Sequence, residues 1–172
     1  MTSPVVRRVA LHEWREVRDL RIQAVGDENA AIAFTTTRDE ELARDDAFWR
    51  GRTAGAAMGD NAAQFVAIVG DAWVGSASVL LRAADAPAAG ALRADVVGVY
   101  VAPVHRGAGI LGLLFDEAAA WARAQGCDAL TLSTHLDNAR ARAAYRKAGF
   151  TPTGVTFTSS VGPELEMRRA IA

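Results

Sequence analysis

Lysine is almost missing from this sequence: of its nineteen basic residues only Lys147 is a lysine, and the rest are arginines. With so much alanine alongside, the skew reads as the base-composition bias of a high-GC genome, so each arginine carries less functional weight than usual. Cysteine is represented only by Cys127, which excludes an internal disulfide and suits a reducing compartment. The three histidines, His12, His105 and His135, are scattered and have no cysteine partners, so no metal is expected. A net charge of −1 removes the electrostatic case for nucleic acid. No apolar run reaches the length of about eighteen residues that a membrane span requires, and no apolar leader precedes a cleavage site; a cytoplasmic protein without a membrane partner is expected.

What is present is enough apolar material for a core: 51% of 172 residues, read as a single domain over residues 1–172. Residues 5–10 predict a first strand. Leu11, Trp14, Val17, Leu20 and Ala24 then fall on one face of a helix, which ends at Gly26. Thr37 and Glu40 form a capping-box pattern that opens a second helix, with Leu42 and Trp49 on related faces. Residues 64–69 and 72–81 alternate like strands around Gly70-Asp71, a tight-hairpin pair. Residues 83–92 form a low-complexity connection. Further on, residues 129–134 predict a strand, Asn138 caps a helix that ends at Gly149, and a last hairpin follows. The order βααβββαβαββ predicts an α/β domain with a mixed sheet.

The most informative stretch runs over residues 95–112. A β-branched run breaks at Pro103 and reaches Arg106-Gly107-Ala108-Gly109-Ile110-Leu111-Gly112, followed by apolar residues at helical spacing. Strand, glycine turn and helix make an anion cradle: small residues let the backbone approach a ligand, and the first helical N–H groups have no internal acceptor. Those groups and the helix dipole favour phosphate. The letters also match the dinucleotide pattern G-x-G-x-x-G. Against that reading, Pro103-Val104-His105-Arg106 separates strand from glycines, and only sixty residues follow Gly112. No acidic residue ends the next strand about twenty residues on, where a ribose-binding carboxylate belongs.

The cradle resembles the coenzyme A loop of the GNAT superfamily of N-acetyltransferases, R-x-x-G-x-G/A, with Arg106 and Gly109 in register. A second motif strengthens the resemblance: Asn138, Ala141, Tyr145, Lys147, Gly149 and Phe150 match the family's N-x-x-A-x-x-x-Y-x-K-x-G-F. The resemblance spans nearly the whole chain. It implies a GNAT-type mixed, mostly antiparallel sheet flanked by four helices, with a splayed parallel strand pair. Leu111 departs from the family pattern, standing where a glycine or alanine is usual. Its backbone N–H remains available if its side chain points away.

The resemblance also implies a chemistry. Acetyl-CoA and a primary amine meet in a ternary complex, and the amine attacks the thioester directly. Val99 and Val101 would pair with the pantetheine arm through their backbone, and a backbone N–H near Val99 would polarise the acetyl oxygen. Residues Arg106, Gly107, Ala108, Gly109, Ile110, Leu111 and Gly112 would hold the phosphates, with Asn138 and Ala141 beside the arm. Tyr145 is the expected general acid toward the thiolate, and Asp95 the expected base, with His135 and Asp137 as second choice. Phe34, Trp49 and Phe157 are expected in the acceptor pocket, near an acidic series that includes Asp27, Glu28, Glu40, Glu41 and Asp45. The expected activity is acetylation of a small molecule such as an amino acid, antimetabolite or antibiotic. A protein or peptide N-terminal acetyltransferase and a non-catalytic CoA-binding sensor are the alternatives. The last strands offer an edge on which a homodimer could pair.

Overall fold

The structure is a computed structural model, and it describes residues 2–84 and 91–172. Seven strands form one sheet in the order β1-β2-β3-β4-β5-β7-β6: β1 Val5–Arg8, β2 Ala62–Val69, β3 Ala72–Ala83, β4 Leu92–Val101, β5 Ala129–His135, β6 Thr151–Ser159 and β7 Gly162–Ala170. Every neighbouring pair is antiparallel except β4 with β5. This is the expected mixed sheet. The two-residue turn at Gly70-Asp71 closes the β2–β3 hairpin, with Gly70 at φ 62°. Most of the connection expected at residues 83–92 lies outside the described residues, although β4 already begins at Leu92.

Among the described residues six α-helices flank the sheet, where four were expected. The long ones are α1 Trp14–Val25, α4 Asp46–Met58, α5 Ile110–Ala124 and α6 Ala139–Lys147; α2 Ala30–Ala33 and α3 Arg38–Leu42 are one turn or little more. The predicted second helix is therefore two. Thr37 caps α3 with the full capping box to Glu40, and α3 ends at Ala43; Asp45 then accepts from the Phe48 N–H and starts α4 afresh. The break rotates the faces, leaving Leu42 half exposed while Trp49 is fully buried. Removing the cap, Thr37→Ala, is expected to lower unfolding free energy by about 1 kcal/mol. Chemical denaturation checks this; no change would mean the box is idle.

The sheet's two faces follow from alternation along each strand. Phe65 and Ala67 of β2 join the main core, where α5 contributes Ile110, Leu114, Phe115, Ala118, Ala119 and Ala122; Val66 faces the other way, toward Val9, Trp14, Val17 and Trp49. The apolar spacing of α5 puts Leu114, Phe115, Ala118 and Ala122 wholly inside. Burying the two large ones contributes roughly 1.5–3 kcal/mol each. A Schellman turn ends α5: Cys127 N–H donates to the Ala122 carbonyl, Gly126 N–H to Arg123, and Gly126 sits at φ 88°. α5 is thus a fixed strut whose first turn opens at the end of β4.

Candidate active site

The parallel pair opens. β4 and β5 pair only at Ala94 with Leu130 and at Asp95 with Thr131, and beyond Asp95 the two strands part. On its other side β4 carries a bulge: Val97 pairs with Ser78 and Tyr100 with Ser76, so Gly98 and Val99 together oppose Ala77. Gly98 supplies the positive φ of 61° that the bulge requires. The result is a gap along the far half of β4 whose strand edge has lost its β5 partner, with Val99 and Val101 lining it.

The cradle closes one end of this gap. A single 3-10 turn (Pro103–His105) leads to Gly107 and Gly109 at φ 79° and 82°. Gly109 caps α5 without any side-chain hydrogen bond, and the first internal helix bond there is Leu113 N–H to the Gly109 carbonyl. The amides of Ile110, Leu111 and Gly112 therefore precede any in-helix acceptor. A side chain built on Gly107, Gly109 or Gly112 would meet nothing within 4 Å, and these three glycines line the same cavity as Ile110 and Leu111. Leu111, the departure from the family pattern, packs part of its side chain against the main core. Its bulk does not close the cradle. Ala108 is exposed and lies off the cavity wall.

Arg106 serves the protein's own acceptors rather than standing free for phosphate. Its Nε donates to the Val101 carbonyl at 2.9 Å and its Nη2 to Asp27 Oδ2 at 2.6 Å. Asp27 also lies 3.6 Å from Arg140 on α6. One carboxylate thereby ties the loop after α1 to the cradle and to the opposite wall. Asp27 and Glu28, expected at the acceptor entrance, thus sit on the cradle side. Burial alone would raise the Asp27 carboxyl, but the Arg106 hydrogen bond, the Asn29 amide and the two guanidinium charges outweigh it and hold it below its ordinary 3.8. Its contribution to stability is then complete above pH 3.8 and lost as pH falls below that through the folded value. Asp27→Asn is expected to weaken CoA binding roughly three- to tenfold by loosening a preorganised slot. The stability gap to the parent protein should close on acidification; calorimetry at pH 7 and below checks both.

Tyr145 stands at the other end of the gap. Its ring is wedged between Phe115 at 5.9 Å and Phe150 at 6.3 Å, which fixes where the hydroxyl sits. Among the described residues that hydroxyl has no hydrogen-bond partner. Burial pushes the phenol up to about 12, against a smaller opposing pull from Arg140. Asn138 Oδ1 accepts from the Ala141 N–H at 3.2 Å, so the helix-cap part of its expected role is present, and both residues line the gap.

Two cavities meet here. One, of about 400 Å³, runs from the cradle along Val99 and Val101 to Tyr145. The other, of about 760 Å³, lies beyond, over β4, β5 and the tip of the last hairpin. Ala33, Phe34, Val99, Asn138 and Tyr145 line both, so they mark the opening between them. Phe34 and Phe157 stand on the second cavity, while Trp49 does not: fully buried among Val9, Trp14 and Val17, it is a core residue.

Asp95 also lines the second cavity, but both its oxygens are occupied, Oδ1 by Arg93 at 2.6 Å and Oδ2 by Arg82. A proton taken there would have to displace an ion pair, so Asp95 reads as part of a charge lattice and not as a free base. Glu166 continues the lattice through Arg93 and Thr153. Glu41 is wholly buried and bound by Thr36, Arg21 and Arg44; burial pushes its carboxyl up, and these contacts more than reverse that. Glu164 alone among the cavity's carboxylates has no guanidinium partner among the described residues; one oxygen accepts from the Ser159 hydroxyl. It pairs across strands with His135, whose Nδ1 accepts from the Asp137 amide at 3.0 Å. Sequence reading missed Glu164, though its alternation on β7 with Glu166 was the available signal.

A parallel pair that splays beside a glycine-bounded helix start, with a phenol at the opening between two cavities, is the layout of an acyltransferase. The chain belongs to the acetyltransferase (GNAT) family, whose sequence model matches residues 18–150. A segment of 56 residues is 36% identical to the aminoglycoside N(6′)-acetyltransferase type 1 of Acinetobacter haemolyticus, covering 33% of this chain and 39% of that protein. The fold is similar to an acetyltransferase of the GNAT family from Streptococcus pneumoniae, with a TM-score of 0.78 at 18% identity over 99% of this chain and 100% of that one. It is also similar to the PaiA N-acetyltransferase of Thermoplasma acidophilum solved in complex with coenzyme A, with a TM-score of 0.67 at 14% identity over 98% and 99% of the two chains.

Proposed function

We propose that this acetyltransferase moves the acetyl group of acetyl-CoA to the amine of a small molecule, by direct attack within a ternary complex. The observation that carries the reading is the meeting of two cavities at Phe34, Val99 and Tyr145, one lined by an anion cradle and the other by polar side chains. Acetyl-CoA supplies an activated acyl thioester. The chain's own groups fit it: open amides from Gly107 to Gly112 for the diphosphate, and a strand edge at Val99 and Val101 for the pantetheine arm. Holding both reactants at one opening supplies the proximity that an uncatalysed aminolysis lacks.

Each remaining requirement has a candidate in this chain. A backbone N–H at the bulge near Val99 would serve as the oxyanion donor as the carbonyl oxygen gains charge. Tyr145, at about 12, lies well above the ~8.5 of an ordinary thiol, so complete proton transfer to the leaving sulfur is uphill. Its role is therefore a hydrogen bond that strengthens as negative charge reaches sulfur. The thiol's final proton comes from the attacking nitrogen. Before attack, the ammonium must lose a proton, and Glu164 is the acceptor we assign, through water, in place of Asp95.

A thiol-release screen with acetyl-CoA against amino acids, polyamines, aminoglycosides and short peptides tests the reading. Release dependent on a small amine is the expected result. Release only with peptides would move the assignment to N-terminal acetylation of polypeptides, and stoichiometric CoA binding without release against the whole panel would defeat it.

A further inference from the structure

His135, at the end of β5, is a buried polar group that the acetyl-transfer step leaves unused. It is 6% exposed and lines the second cavity beside Asn138 and Glu164. Its Nδ1 accepts from the Asp137 amide at 3.0 Å, which fixes the neutral tautomer with the proton on Nε2. The ring then has no nitrogen free to take a proton, and the second-choice base expected at His135 gives way to a donor. Nε2 has no hydrogen-bond partner among the described residues, and it is not one of the fully enclosed unpartnered atoms. The β6–β7 turn keeps the space beside it open: Gly162 sits there at φ 118°, and a Cβ on it would stand 2.7 Å from Nε2. That turn is itself held, by the Leu136 N–H donating to the Pro163 carbonyl at 2.9 Å and by the Ser159 hydroxyl donating to Glu164. His135 and Glu164 are direct cross-strand partners, so their side chains leave one face of the sheet with Cβ atoms about 4.5–5.5 Å apart. A fixed N–H donor and a carboxylate acceptor thus stand side by side, close to Asn138 at the opening between the cavities. Leaving such a nearly buried donor without an acceptor costs about 1–3 kcal/mol, which favours a ligand that brings one.

Resting on the acetyl-transfer reading above, we infer that the acceptor carries a neutral oxygen, a hydroxyl or a carbonyl, on the carbon next to its amine-bearing carbon. That oxygen accepts from His135 Nε2–H while the nitrogen lies toward Glu164 and Tyr145. His135 is then a specificity-determining residue, selecting vicinal amino alcohols and α-amino carbonyl compounds over plain alkylamines and polyamines. The spacing follows from the pair, because side chains that are direct cross-strand neighbours suit one short N–C–C–O unit. The rejection follows from the donor, because an amine without the oxygen would cover Nε2–H and offer it no acceptor.

The test measures thiol release with alaninol, alaninamide, isopropylamine and spermidine. Rates are expressed per unprotonated amine, because the oxygen also lowers the basicity of the nitrogen. kcat/KM is expected to be at least roughly tenfold higher for alaninol and alaninamide than for spermidine or isopropylamine, which is alaninol without its hydroxyl. His135→Leu is expected to erase that preference, mainly through KM, with CoA affinity within about twofold of the parent as the check that the slot is intact. His135→Gln, whose amide can donate from a similar position, should restore part of the preference, whereas a merely structural fault would lower every amine alike and weaken CoA. The parent's preference decides on its own if His135→Leu fails to fold. Equal rates with and without the oxygen, a preference that survives His135→Leu, or release with other amines but with neither alaninol nor alaninamide would overturn the inference and leave acetyl transfer standing. Absence of release with these amines and with the whole panel above would overturn acetyl transfer itself, and this inference with it.

Discussion

Gly112→Glu is expected to abolish coenzyme A binding while leaving the protein at least as stable. The two effects have opposite signs because the same place serves two purposes. Gly112 is the third residue of α5, and a side chain built there meets nothing within 4 Å, so the substitution fits without displacing anything. Inside a helix, replacing glycine gains roughly 0.5–1 kcal/mol. A carboxylate in the first turn adds about 0.3–1 kcal/mol against the helix dipole. For a chain of this size a gain near 1 kcal/mol raises Tm by roughly 2–4 °C. The same carboxylate projects into the space before the amides of the cradle, where it competes for their N–H groups and repels a diphosphate. CoA affinity is expected to fall at least a hundredfold, about 2.7 kcal/mol. Thermal melts and titration calorimetry on one preparation read both numbers. Affinity within threefold of the parent would place the phosphates elsewhere.

Tyr145→Phe is expected to lower kcat at least tenfold, and CoA affinity by less than twofold. The ring is held by Phe115 and Phe150, contacts that phenylalanine reproduces, so the slot keeps its shape. What disappears is the hydroxyl, which lacks a protein partner among the described residues and so takes no internal hydrogen bond with it. A tenfold loss corresponds to about 1.4 kcal/mol, the scale of one hydrogen bond made better in the transition state than before it. The pH profile carries a second signature. A phenol raised to about 12 stays protonated across the assay range, so the rate should climb as the amine deprotonates and show no alkaline fall from this group. An alkaline limb near the ordinary tyrosine value of ~10 that vanishes in Tyr145→Phe would contradict the assigned environment.

How much of this was legible in the letters depends on how local each cause is. The cradle was readable because glycines at positive φ, the break at Pro103 and an uncapped helix start all lie within ten consecutive residues. Asn138 as a cap was readable for the same reason. Trp49 was misplaced because apolar spacing says that a helix has an inner face, not which neighbour that face meets; the unrecognised restart at Asp45 turned it into the core. Asp95 was half readable: Arg93 stands two residues away on the same strand and so on the same face, yet Arg82 reaches it only through cross-strand register. The Arg106–Asp27 tie joins residues 79 positions apart, and nothing in either neighbourhood announces it. The acidic series was legible as helix-start chemistry, and Glu40 and Asp45 do serve helix caps; the arginines that enclose Glu41 come from outside its helix and were not legible.

A crystal structure with acetyl-CoA bound tests the central claim most directly. The account predicts diphosphate oxygens within about 3.2 Å of amide nitrogens in the stretch from Gly107 to Gly112. It also predicts the pantetheine arm beside the unpaired edge of β4 and the sulfur facing the Tyr145 hydroxyl. Coenzyme bound with its phosphates away from those amides, or with its sulfur remote from Tyr145, would contradict it.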